Sequence, residues 1–91
     1  MIIGNVVGNV WATRKNDSLT GLKLMIVQRL DVCSNETKES FVAADLVGAG
    51  IGERVLVATG SAARQSAEMQ NTLVDATIIG IIDEVDVPDE S

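Results

Sequence analysis

Residues 48–64 read GAGIGERVLVATGSAAR: three glycines at alternate positions, an apolar run, then Gly-Ser ahead of an alanine pair. Two fold classes compete for this stretch. A dinucleotide-binding α/β domain needs G-x-G-x-x-G between a strand and a helix, so that pyrophosphate meets the free amides of the helix N-terminus. Gly48 and Gly50 fit the first two positions, but the third is Glu53. The next six residues, RVLVAT (54–59), predict a strand and so present no helix N-terminus. A Walker loop is excluded too, because the chain contains no Gly-Lys-Ser/Thr. The stretch is the connection between two strands of an all-β chain.

The rest of the sequence agrees with that choice. In IIGNVVGNVWAT, Ile2, Gly4, Val6, Gly8, Val10 and Ala12 share one face, with Asn5, Asn9 and Thr13 on the other. This alternation predicts a strand, and its small, glycine-rich inner face suits a sharply bent sheet such as a small closed barrel. RKNDSLTG (14–21) is a polar loop with turn formers Asn16, Asp17 and Gly21. A second strand covers LKLMIVQRLD (22–31), a polar loop covers 33–40, and a short third strand, SFVAAD, ends at Asp45. SAARQSAEMQ predicts a short helix, with Ser61 as its N-cap and good helix formers as far as Gln70. The last strand, DATIIGIIDEVDV (75–87), carries Ile79 and Ile81 on one face and Ile78 and Ile82 on the other. A strand apolar on both faces is covered on both, either by the helix or by a neighbouring subunit.

Five strands and one short helix predict a single all-β domain over residues 1–91. It is a five-stranded OB-like barrel, with an acidic tail from about residue 86.

Composition removes several function classes. The net charge is -6 and the pI about 4.3, whereas nucleic acids and anionic membranes are held by Lys and Arg. Much of the acidity lies in Asp83, Glu84, Asp86, Asp89 and Glu90 around Pro88, read as a solvated strand end and tail. Cys33 is the single cysteine, so no intrachain disulfide forms, and with no apolar run of membrane-spanning length the chain is expected in a reducing cytosol.

Chemistry fares no better. There is no histidine to activate Cys33 or Ser61, and no lysine in the half of the chain that holds Ser61. Gly60-Ser61 at a strand-to-helix junction, with Arg64 nearby, resembles an anion site, but Ser61 capping its own helix explains it more simply. One cysteine and scattered carboxylates make no metal cluster, so no catalytic, metal or cofactor site is assigned. Single-stranded nucleic acid needs aromatic platforms in a basic groove, and Trp11 and Phe41 stand alone, Trp11 reading as a core or interface residue. What remains has the character of an assembly part.

At this point four segments matter as an ordered set: GNVVGNVWATRK, LTGLKLMIVQRLD, DLVGAGIGERVLVATGSAAR and VDATIIGIID. Together they resemble the EutN/CcmL family of bacterial microcompartment vertex proteins, across nearly the whole chain. The resemblance implies a homopentamer of OB-like barrels that has no enzymatic activity and caps the five-fold vertices of a polyhedral shell built mainly of hexameric tiles. It places the chain in the cytoplasm, within a microcompartment shell such as that of a carboxysome or metabolosome. A ring of identical heterologous contacts closes when the rotation between subunits divides the circle. On that reading Gly48, Ala49, Gly50 and Gly52 lie at the five-fold axis or pore loop. Ser61, Ala62 and Arg64, with Ile79 and Ile81 of the last strand, lie at the subunit contact. The alternative is a free-standing oligomeric OB-like module that binds a small ligand or a peptide.

Overall fold

A computed structural model of the chain describes residues 1–11, 21–34, 36–60 and 75–84. Five strands, β1 (Ile2–Val10), β2 (Lys23–Asp31), β3 (Glu36–Asp45), β4 (Arg54–Thr59) and β5 (Ala76–Ile81), form a closed barrel in the order β1-β2-β3-β5-β4. Four of the neighbouring pairs are antiparallel. The fifth, β3 with β5, is parallel and spans the register Ala44↔Thr77 and Asp45↔Ile78. The helix predicted over 61–70, and the Ser61, Ala62 and Arg64 assignments with it, lie outside the described residues, as do Ala12, Thr13 and the tail from 86.

The barrel is filled by aliphatic side chains of modest size. Val6, Met25, Val27, Val55, Val57 and Ile78 are fully buried and belong to one cluster, with Ala43, Ala49 and Ala76 filling between them. Each Val or Ile sequestered this way contributes roughly 1.5 to 3 kcal/mol. Small residues are needed because a five-stranded barrel has little internal width. Gly4 shows the constraint: a Cβ there would sit 2.5 Å from Val27 Cγ1 and 2.7 Å from the Gln28 carbonyl oxygen.

Three bulges reset which residues face inward, because an extra residue shifts a strand's alternation by one. In β1 the register passes from Val6↔Val27 to Gly8↔Ile26, so Val7 is the extra residue. Gly8 and Val10 therefore move to the outer face opposite Ile26 and Leu24, correcting the single inner stripe expected from Ile2 to Ala12. In β5, Leu56 faces Gly80 and Val57 faces Ile78, which makes Ile79 the extra residue. The expected division of Ile79 and Ile81 from Ile78 and Ile82 does not hold: Ile81 pairs with Val55 on the same side as Ile78. The third bulge lies between Gln28/Leu30 of β2 and the facing Ser40/Thr37 of β3.

The polar stretch 33–40, expected as a loop, is strand from Glu36 onward. It pairs with β2 down to Asp31↔Glu36, forming a two-stranded arm in which residues 36–40 are all exposed. No core lies beneath that part of β3, so pairing alone supports it and the sequence shows no apolar alternation.

The covering of β5 is partly settled. Ala44, Thr77 and Ala58 form an outward row across β3, β5 and β4, and each is at most 1% exposed in the single chain. At that height the subunit covers its own barrel.

Candidate assembly site

The loop that joins β3 to β4, residues 46–53, holds the glycines that the sequence singled out. Gly48 (φ 78°) and Gly52 (φ 93°) occupy the left-handed region, which a side chain strains. A Cβ at either meets nothing within 4 Å, so their first role is conformational and not to relieve crowding within the subunit. Gly50 has no positive φ, and a Cβ there would lie 3.3 Å from Glu53 Oε1. Ala49 is 0% exposed and packs in the core, so it anchors the loop to the barrel and presents nothing to its surface.

Backbone groups along the loop are tied down in turn. Asp45 Oδ1 accepts from the amides of Val47 (3.0 Å) and Gly48 (3.1 Å). The Lys23 ammonium donates to the Ala49 carbonyl at 3.2 Å and lies 3.6 Å from Asp45 Oδ2. Glu53 closes the other end, its Oε1 accepting from the Gly50 amide at 2.6 Å while its own amide donates to the Gly50 carbonyl at 3.1 Å. Gly52 N–H donates to the Val6 carbonyl at 2.8 Å, and Val6 N–H donates to the Glu53 carbonyl at 2.9 Å, stitching the loop to β1 beside its bulge.

A loop so restrained nevertheless presents apolar side chains to solvent. Leu46, Val47 and Ile51 are exposed, Ile51 to 62%. Trp11, 90% exposed and therefore not a core residue, belongs to the same end of the barrel. It follows Val10, which pairs with Leu24, and the adjacent Lys23 pairs with Asp45, from which the loop departs. Val7, at the bulge, and Val42, on the outer face of β3, are also exposed, at 48% each. Ile81 is 39% exposed and Ile79 half-buried.

Sequence reasoning found the apolar doubling of β5 but missed the same signal in LKLMIV. There Met25 and Val27 fill the barrel while Leu24 and Ile26 line its outside, next to Val42.

The arm is different in kind. Asp31 Oδ1 accepts from the amides of Cys33 (3.0 Å) and Ser34 (3.4 Å), and those bonds lower its pKa. Arg29 and Glu39 pair across the strands at 3.3 Å, and Lys38 lies 3.5 Å from Glu36. The Glu39 pKa is lowered first by its own backbone amide and then by Arg29.

Among the described residues, open recesses of about 440 Å³ and about 450 Å³ lie at the base of the arm and beside Gly52 and Arg54. In the first, Arg29 already pairs with Glu39; in the second, Arg54 stands beside the acidic Asp83 and Glu84. Neither assembles a nucleophile with a base. Among the described residues no cluster of three or more His, Cys, Asp or Glu is arranged to hold a metal, and no helix is long and apolar enough to cross a membrane.

Comparison with known proteins agrees with this picture of a barrel with an apolar end. The chain is 44% identical over 86 residues to the bacterial microcompartment shell vertex protein GrpN of Rhodospirillum rubrum, covering 94% of this chain and 97% of that one. It is 46% identical over 91 residues to the carboxysome shell vertex protein CcmL of Synechococcus elongatus, covering 100% and 92% of the two chains. The solved GrpN pentameric microcompartment shell protein of Rhodospirillum rubrum superposes with a TM-score of 0.85 at 43% identity, over 97% of this chain and 100% of that one. Both sequence relatives are shell vertex proteins, and the solved structure is a pentameric shell protein. Residues 1–83 match the family described as "Ethanolamine utilisation protein EutN/carboxysome", and the chain belongs to this EutN/CcmL family.

Proposed function

We propose that this chain is a non-enzymatic shell protein, and that its homopentamer caps the five-fold vertices of a bacterial microcompartment. The observation that carries the reading is near full-length similarity, at 44% and 46% identity, to two shell vertex proteins. The physical support is the apolar surface left open on an otherwise self-covered barrel: Trp11, Leu46, Val47 and Ile51 at one end, Val7 and Val42 on the wall. Exposed large apolar side chains gathered in this way favour a contact with another protein. A lone barrel gains nothing from it; five copies in a ring bury it five times.

In this arrangement the loop bearing Gly48, Ala49, Gly50 and Gly52 faces the five-fold axis. Ser61, Ala62 and Arg64, together with Ile79 and Ile81, contribute to the contact with the next subunit. Flat hexameric shell tiles are the outer partners. Native mass spectrometry of the purified chain gives pentamers, or stacked pairs of them, and co-expression with hexameric shell proteins gives closed particles. A stable monomer at micromolar concentration overturns the reading. Arg64→Ala shifts pentamers toward smaller species on dilution, by roughly 2 to 5 kcal/mol per contact if the guanidinium is desolvated against a partner; an unchanged dilution curve removes Arg64 from the contact.

A further inference from the structure

We propose that the Lys23–Asp45 ion pair is a positioning device for assembly, setting the conformation of the 46–53 loop so that its apolar side chains meet a second copy of the chain in register. The proposal rests on the pentamer reading above. Its ground is the position of the pair. Lys23 and Asp45 are cross-strand partners at the last register step of β2 and β3, where the loop leaves the barrel. The Asp45 side chain is 1% exposed, although aspartate is among the residues least often buried. Its Oδ1 holds the Val47 and Gly48 amides, while Oδ2 accepts no hydrogen bond and faces the Lys23 ammonium at 3.6 Å. That ammonium also holds the Ala49 carbonyl. One pair of side chains thus fixes three successive loop residues, between exposed Leu46 and Val47 on one side and exposed Ile51 on the other.

The pair is buried on its aspartate side only, the Lys23 side chain being 54% exposed, so it adds little net stability and matters through where it holds the carboxylate and the loop. What it sets is the place of a loop relative to the sheet that carries it. In the Arg29–Glu39 pair the carboxylate is 65% exposed, so solvent competes for it and it offers no such constraint.

The test compares wild type, Lys23→Met, the double variant Lys23→Met/Asp45→Asn, Lys23→Arg and, as control, Arg29→Met. Native mass spectrometry over a dilution series reads assembly, and hydrogen exchange at the Val47, Gly48 and Gly50 amides reads loop order. The double variant removes both charges while keeping an acceptor for the two amides, so it folds even where Lys23→Met strands a buried carboxylate. It is expected to dissociate at concentrations about tenfold higher than wild type, with faster loop exchange and unchanged exchange in β1 and β2. Lys23→Arg restores part of the assembly, and Arg29→Met matches wild type. A double variant that assembles like a pentameric wild type overturns the proposal and leaves the shell reading intact. A wild type that never forms pentamers overturns the shell reading, and this proposal falls with it.

Discussion

The two ends of β3 use the same kinds of residue to opposite effect. At its start, Glu36, Lys38 and Glu39 are exposed, and their ion-pair partners are as exposed as they are. At its end, Asp45 is buried with the loop amides on one oxygen and a lysine beside the other. Solvent screens the first set, so it decorates an arm that pairing already holds. The second set decides where a backbone segment goes. The difference teaches that a charge matters to architecture in proportion to how much water it has lost, whatever the count of ion pairs.

The sharpest way to break this comparison is to put an unpaired charge on each region. Ile51→Asp is expected to abolish the pentamer while the barrel stays folded, since a charge without a partner in a dry contact costs roughly 3 to 5 kcal/mol. Thr37→Asp on the arm leaves oligomer mass unchanged. Equal dilution behaviour of the two variants would remove the 46–53 loop from the contact.

A smaller effect comes from the loop backbone. Gly52→Ala forces a Cβ into φ 93° and is expected to cost about 1 to 2 kcal/mol, read as a lower thermal midpoint. Gly50→Ala, with no positive φ and only Glu53 Oε1 at 3.3 Å to displace, is expected to cost no more than about 0.5 kcal/mol and so to leave the midpoint nearly unchanged. A reversed order would mean that crowding, and not conformation, selects these glycines.

The smallest effect belongs to the arm. The Asp31 carboxyl is lowered by the Cys33 and Ser34 amides, so the stability it contributes is present above the ordinary carboxylate pKa and is lost as pH falls through the depressed folded value. Acidification should therefore lower the protection of the Cys33 and Ser34 amides against exchange, measured relative to their intrinsic rates at each pH. Asp31→Asn is expected to weaken that pH dependence with no change in assembly. Loss of pentamers in Asp31→Asn would show that the arm is an assembly element as well.

The sequence carried the barrel far better than it carried the faces of its strands. Alternation, glycine content and the placement of RVLVAT identified an all-β chain, because these signals arise from the local backbone. The bulges at Val7 and Ile79 were not legible: nothing in VVG or IIGI marks which residue is extra, since a bulge is fixed by the partner strand. The arm was missed for a related reason, because Glu36 to Ser40 pair without burying anything. Of the site, the glycines at 48 and 52 were singled out by their spacing, while the left-handed backbone angles they adopt are invisible in sequence. Asp45 was read as a strand end, and its burial follows only from the tertiary contact with Lys23.

The parallel pairing of β3 with β5 has a kinetic consequence. Every other strand pair is antiparallel, so the fold is a ribbon of five strands, β3-β2-β1-β4-β5, whose two edges meet over a seam of two residue pairs. With two residue pairs against the four that join β1 to β4, the seam gives the least return for the entropy lost in bringing its strands together. Closure should thus be the late step in folding and the seam the place where the barrel first opens. Asp45 lies in that seam, opposite Ile78, and the neighbouring Leu46 amide donates to the Ile78 carbonyl at 3.3 Å. Asp45 thus joins the seam to the loop that carries the exposed apolar side chains, so an opening of the seam reaches that loop directly.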